Sequence, residues 1–298
     1  MKNMIKRTKI HNWLTIGLCL FGMTCMNTGC IKKVQQNSEE QKAKEAASFT
    51  TSDTPWEENK TSIGCKLYAD YPTNGSPFLV QNIREWISES MGGDYNGDLA
   101  DGKKVLEHYG KAYSARMKKD MEEFGENQSM GQSVYYIQFR NAFETGQFVT
   151  YTQEIYQYTS GAAHGGESFD GVVFRKSDGR RMGWNVFKKD SIEAIRTFIA
   201  SGIQHLYFKE KDEKAFREKL LIDEYDDFPL PQTDPLFMKD GVQFVYQQYE
   251  IAPYASGRPS CTIPYEILKN YFTATALPLA ESYNDSIATR KKPIQLWP

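Results

Sequence analysis

Histidine and cysteine are scarce in this chain, and their scarcity sets the first limits. Four histidines and five cysteines are spread over 298 residues. No His-x-x-x-His or Cys-x-x-Cys pattern exists, so the usual zinc-holding spacings are missing. No Gly-x-Ser-x-Gly elbow presents a serine nucleophile. Charge of one sign is lacking too: 36 Lys and Arg stand against 38 Asp and Glu, a net charge of −2, with the signs mixed along the chain. Nucleic-acid binding, which wants a basic face, therefore has no electrostatic case. Beyond the N-terminus no apolar run reaches transmembrane length, and no repeat of solenoid length occurs. What is present is an ordinary globular supply, 40% hydrophobic and 25% charged. The 18 Tyr and 17 Phe favour sheet.

The N-terminus has the layout of a signal peptide over residues 1–29. Lys2, Lys6, Arg7 and Lys9 form a positive region, and Trp13 to Met26 is apolar but short for a membrane span. It ends at Asn27-Thr28-Gly29-Cys30, small residues before a cysteine as in a bacterial lipobox, with Asn27 where leucine is usual. Cys30 is the expected lipidation site, which puts the protein outside the cytoplasm, lipid-anchored to the bacterial cell envelope. Plain secretion and an uncleaved anchor are the alternatives. Cys19 and Cys25 leave with the signal, so Cys65 and Cys261 remain. In an oxidising compartment they are a candidate disulfide, with two buried free thiols as the alternative.

Residues 30–60 are rich in Lys, Gln, Glu, Ser and Thr, a composition that reads as a disordered tether. Ser62 to Tyr71 reads as a strand, ended by Pro72 and Asn74-Gly75. Ser76-Pro77 opens a helix, with Ser76 as N-cap and Leu79, Ile83, Trp86 and Ile87 on one face. Asp94, Asp98 and Asp101 crowd around Gly97, but the glycine comes two places too early for a calcium loop. Asp101 instead suits the N-cap of a helix over about 103–124. His108 lies at the edge of that helix's core stripe.

From Ser133 the hydrophobic period becomes two. Ser133 to Phe139 and Phe148 to Tyr158 read as an antiparallel hairpin, and Phe169 to Arg175 with Arg181 to Trp184 as another. Asp190 and Glu193 suggest a capping box before a helix that carries Ile192, Ile195, Ile199, Ile203 and Leu206 inward. His205 sits at that helix's edge. A further helical run at 212–221 precedes an acidic, proline-punctuated connection. Strands from Leu236, Val242 and Ser260 follow. A helix then opens at Pro264, and a partly extended tail covers 276–298. The whole reads as an α+β fold, an antiparallel sheet with helices on it.

The stretch Tyr158-Thr-Ser160-Gly-Ala-Ala-His164-Gly-Gly-Glu167 breaks this pattern. It holds the only histidine in the folded body outside a predicted helix. Its glycines permit unusual backbone and close approach. Ser160, His164 and Glu167 supply nucleophile, base and orienter types, but loop spacing alone does not place them in contact. A zinc site would need a third ligand beyond His164 and Glu167. The bland alternative makes His164 a tie between loop and backbone, and Tyr254 an aromatic packed on the sheet.

Together, the Tyr158–His164 stretch, the aromatic strand before it, and Tyr249-Glu-Ile-Ala-Pro-Tyr-Ala-Ser-Gly257 with Thr262-Ile-Pro-Tyr265 resemble the domain of unknown function 3298. That domain is the extracytoplasmic part of RsiV-like, lysozyme-responsive anti-sigma factors, and it accompanies some peptidoglycan deacetylases outside their catalytic domain. Residues 61–158 resemble its usual companion, the domain of unknown function 4163, and 159–275 the 3298 domain itself. The resemblance implies an α+β fold like that of RsiV and the deacetylase N-terminal regions, an envelope location and, as in RsiV-like proteins, lysozyme binding. The chain departs from the pattern in three ways. No sigma-binding region precedes the apolar segment, no deacetylase domain is attached, and Ala162 or Ala163 replaces the usual second glycine.

The expectation is a non-catalytic envelope lipoprotein that needs no cofactor or metal. It binds a lysozyme-like protein or a peptidoglycan-derived glycan through Tyr158, Ser160, His164, Glu167 and Tyr254. A cell-wall hydrolase and a structural lipoprotein without a dedicated ligand are the alternatives.

Overall fold

The first element is a strand where a tether is expected. The structure, a computed structural model, describes residues 48–124, 131–223 and 227–285, all within one compact unit of residues 43–298. The signal peptide, Cys30, the first part of the tether and the end of the tail lie outside the described residues. Strand β1 (Thr50–Asn59) pairs antiparallel with β2 (Ile63–Asn74). Its sequence offers little to bury, yet Thr54 and Trp56 give it an inner side. Trp56 lies where a side chain on Gly110 would collide with its ring, so a glycine on the facing helix makes room for the strand. Glu58 adds an ion pair with Lys118 at 3.1 Å.

Helices α1 (Pro77–Glu89) and α2 (Gly102–Phe124) cross over from β2 to β3 (Ser133–Glu144). A helical crossover lets β2 and β3 run parallel. The sheet is thus mixed rather than purely antiparallel, while the α+β class stands. β4 (Phe148–Tyr158), β5 (Gly166–Arg175) and β6 (Arg181–Met182) complete six strands in the order β1-β2-β3-β4-β5-β6. The boundary expected at residue 158 falls on a turn whose two flanking strands pair throughout. Pro72 does not end β2; it pairs with Thr51 beside a register shift.

Two expected caps differ. The Ser76 side chain makes no cap bond, and Lys189–Ser191 form a 3-10 turn in place of the Asp190–Glu193 box. Asp101 does cap, accepting from the Lys104 amide at 3.2 Å.

Side chains alternate across the sheet. Cys65, Leu67, Ile137, Phe139, Tyr151 and Phe174 face α1 and α2, where Leu79, Ile83, Trp86 and Leu106 complete one core. A second core lies among β7 (Leu236–Met238), β8 (Gly241–Val245), β9 (Ser260–Ile263) and α3 (Ile192–Gly202), and takes Phe148 and Val173 from the first sheet. A π-turn, Ile203–Tyr207, extends α3 and leaves Leu206, expected inward, 62% exposed, and α4 (Glu213–Arg217) follows. The helix expected from Pro264 is short, α5 (Tyr265–Leu268). The tail is not extended where it begins: α6 (Leu277–Glu281) buries Leu279 and Ala280.

Cys65 and Cys261 are free and buried, one in each core, so the candidate disulfide does not form. Burial pushes their thiols up to about 11 and about 12. At neutral pH the thiolate is the reactive form and is nearly absent. Thiol labelling at pH 7.5 is expected to modify neither cysteine in native protein and both within minutes in denaturant. Rapid native labelling would contradict this burial.

Candidate functional site

The outer edge of β5 is bare beyond its short pairing with β6, and an unpaired strand edge is a liability. Here two glutamine side chains cover it. The Phe169 amide donates to Gln247 Oε1 at 3.0 Å, and Gln247 Nε2 donates back to the Phe169 carbonyl. The Glu167 amide donates to Gln248 Oε1 at 2.9 Å. The β8–β9 loop is thereby laid along β5, next to the β4–β5 loop that holds His164.

His164 and Tyr254 meet across the two loops, with rings stacked 3.9 Å apart at 22°. His164 is exposed and Tyr254 half-buried. Tyr249 extends the row, its ring 6.0 Å from that of Tyr254 and itself 56% exposed. Its backbone is left-handed, φ 66°, a conformation that costs a bulky residue about 1 kcal/mol or more. Such strain persists where the surroundings fix it. His164 Nδ1 lies 2.9 Å from the Gly165 carbonyl, which can only accept, so Nδ1 carries the proton in this contact.

Below the rings, the second face of the sheet carries a row in register: Lys66, Tyr136, Tyr156 and Glu167 on β2 to β5. Burial first, then the neighbouring Tyr254 and Glu167, push the Tyr156 phenol up. A Cβ on Gly165 would sit 2.6 Å from the Tyr156 ring. The Gly165→Ala variant is expected to lose about 1 kcal/mol, since only the far end of a side chain blocks it. It should also displace Tyr156; a thermal melt together with the Tyr156 ring shifts by NMR would check both.

Arg258 pins the base of the site. Its Nε lies 3.6 Å from Glu167 Oε2 and its Nη2 3.6 Å from Glu154 Oε1. Its guanidinium covers the Phe169 ring at 5.1 Å.

Of the expected site residues, His164, Glu167 and Tyr254 are brought together. Tyr158 lines a different cleft of about 340 Å³ between α2 and the start of β3, beside Tyr113, Met117 and Tyr135. Ser160 is buried, its amide bound to Ser133 Oγ at 2.8 Å. Its own Oγ has no hydrogen-bond partner among the described residues, so the serine–histidine pairing considered from the sequence is not made. Glu167 faces Arg258. Among the described residues no group of three or more His, Cys, Asp or Glu is arranged to hold a metal ion. Sequence reasoning passed over Tyr249, Gln247, Gln248 and Arg258. Tyr249 stands inside the motif that carries the resemblance, and Arg258 directly follows its last glycine. The two glutamines gave no signal, because the sequence reads as strand from Val242 to Glu250, whereas β8 ends at Val245.

Residues 185–266 match the family model described as "Protein of unknown function (DUF3298)". The matched span holds Tyr249, Tyr254 and Arg258 but begins after His164. A crystal structure of a DUF3298 family member from Bacteroides fragilis is similar, with 18% identity, 80% of this chain and 98% of that chain covered, and a TM-score of 0.66. One of a DUF3298 family protein from Pseudomonas aeruginosa aligns with 13% identity, 78% and 98% coverage and a TM-score of 0.53. At these identities the likeness is one of fold. No curated protein matches.

Proposed function

We propose that this protein is a non-catalytic lipoprotein of the bacterial cell envelope that binds a protein or a peptidoglycan-derived glycan on the row Tyr249–Tyr254–His164. The observation that carries the reading is the stack of His164 on Tyr254. Two loops spend their contacts on presenting rings to the outside, on a base fixed by glutamine amides and an arginine. Rings held in this way suit the apolar face of a sugar, or serve as anchors in a protein interface. Ser160, the nearest nucleophile type in the loop, is buried, and its Oγ has no hydrogen-bond partner among the described residues.

Residues 61–158 would be the domain of unknown function 4163-like companion, and Cys30 the lipid carrier at the end of the signal. No helix among the described residues is long and apolar enough to cross a membrane. Cys30→Ala is expected to shift the protein from the membrane fraction to the soluble one on cell fractionation; unchanged membrane association would contradict the lipid anchor.

The functional test incubates the full chain with purified peptidoglycan sacculi and, separately, with lysozyme. Saturable binding without soluble product is expected from at least one. Released product whose formation His164→Ala abolishes would overturn the reading in favour of a cell-wall hydrolase. Binding to neither would favour a structural role.

A further inference from the structure

The first sheet has two poles. At one, β1 and β4 begin while β2, β3 and β5 end, since Thr50 pairs with Asn74, Glu144 with Val149 and Phe148 with Arg175. At the other, β5 begins at Gly166 just after His164, and the ring row stands there. The 11 residues of β4 run from pole to pole, a length of roughly 35 Å.

The chain is pinned where it enters the first pole. Asn74 Nδ2 donates to the Ser48 carbonyl and Thr73 Oγ1 to the Thr50 carbonyl, both at 3.1 Å. The Phe49 ring is buried, 3.1 Å from where a Cβ on Gly75 would lie. The path back to Cys30 therefore leaves from this pole. Only residues 31–47 intervene, and a chain of that length spans at most roughly 60 Å. A surface tied so closely to its target meets it at raised effective concentration.

The same pole presents Phe78, in the first turn of α1 and 68% exposed, the most exposed large hydrophobic among the described residues. The turn at 177–180 lies against it: a Cβ on Gly179 would sit 2.5 Å from the Phe78 carbonyl oxygen. Arg180, at the end of that turn, is exposed. An apolar ring beside a cation suits a membrane interface, the ring among acyl chains and the guanidinium at phosphates. We infer that this pole rests on the lipid bilayer through Phe78 and Arg180, so that the ring row faces away from the membrane and receives a soluble or wall-bound partner. Position 78 then has lipid for a neighbour and no protein. This rests on the lipid anchor and the ring row proposed above.

The test takes the full chain from cell membranes and first measures its mass. An introduced cysteine is then labelled with nitrobenzoxadiazole, either Gln81→Cys one turn beyond Phe78 or Ala162→Cys in the His164 loop; the native Cys65 and Cys261 are buried. Each labelled protein is reconstituted into vesicles of phosphatidylethanolamine and phosphatidylglycerol that contain a spin-labelled lipid as quencher. The label at 81 is expected to lose most of its emission and the label at 162 almost none. Phe78→Asp should restore the emission at 81, and an aspartate suits the first turn of a helix, so the fold is kept. Quenching at 162 equal to that at 81 would overturn the orientation, and quenching at 81 that survives Phe78→Asp would overturn the contact through Phe78. No quenching at 81 in a protein whose mass shows lipid on Cys30 would overturn the inference alone and leave Phe78 to a protein partner. A mass without lipid would overturn the anchor and this inference with it.

Discussion

Lys176→Met is expected to destabilise the fold by about 3–5 kcal/mol, the cost of leaving one member of a buried ion pair without its partner. Lys176 is 3% exposed and its Nζ is bonded to Glu144, itself 7% exposed. Glu144 also accepts from Asn141 Nδ2 at 3.0 Å, and the Lys176 ammonium lies 5.8 Å over the Phe49 ring. The pair ties the β3–β4 turn to the end of β5. Methionine fills the stem's volume but abandons the carboxylate in a place water does not reach. A fall in melting temperature of about 10 °C would follow for a unit of this size. Glu144→Met together with Lys176→Met should recover much of the loss, because no charge is then stranded. Lys269→Met gives the contrast: its partner Glu266 is exposed, and an exposed pair contributes about 1 kcal/mol or less. Equal melting shifts for Lys176→Met and Lys269→Met would contradict the burial of the first pair.

Tyr254→Ala is expected to weaken ligand binding about 30-fold or more, as removal of a central aromatic anchor does. The ring touches His164 on one side and Tyr249 on the other, so its loss breaks the row at its middle. Its half-exposed place at a loop tip, apart from both cores, predicts little change in melting temperature. Titration and a melt on the same variant separate the two effects. A large melting shift with unchanged affinity would make Tyr254 a packing residue instead.

Much of the fold is legible because its strands and helices carry their own periods. Val242, Phe244 and Tyr246 alternate inward, and Leu79, Ile83, Trp86 and Ile87 repeat at helical spacing. The failures have local causes. β1 is hidden because an edge strand with one covered face needs only Thr54 and Trp56 turned inward, and its partner is a glycine on a distant helix. The start of the tail misreads although Ala276, Leu279 and Ala280 stand at helical spacing, because five residues are too few for the pattern to be seen. Lys176 sits in a run that looks like a solvated turn, and nothing near it in the chain announces Glu144.

The site divides in the same way. Glycines mark the His164 loop, and Pro253 with Gly257 marks its partner. What a linear reading cannot supply is contact: that His164 lies on Tyr254 while Ser160 makes no bond to it, and that two glutamines hold the loops together. The 3298 resemblance named both loops. Their meeting depends on β5 offering an edge that Gln247 and Gln248 can cover.

The most direct measurement places a photo-crosslinking amino acid at position 254 in cells and, in a control, at Phe78, an exposed ring far along the chain. On irradiation of intact envelopes the account predicts a discrete adduct from position 254, lost when His164→Ala is added, and none from position 78. Adducts from position 78 with none from position 254 would contradict it.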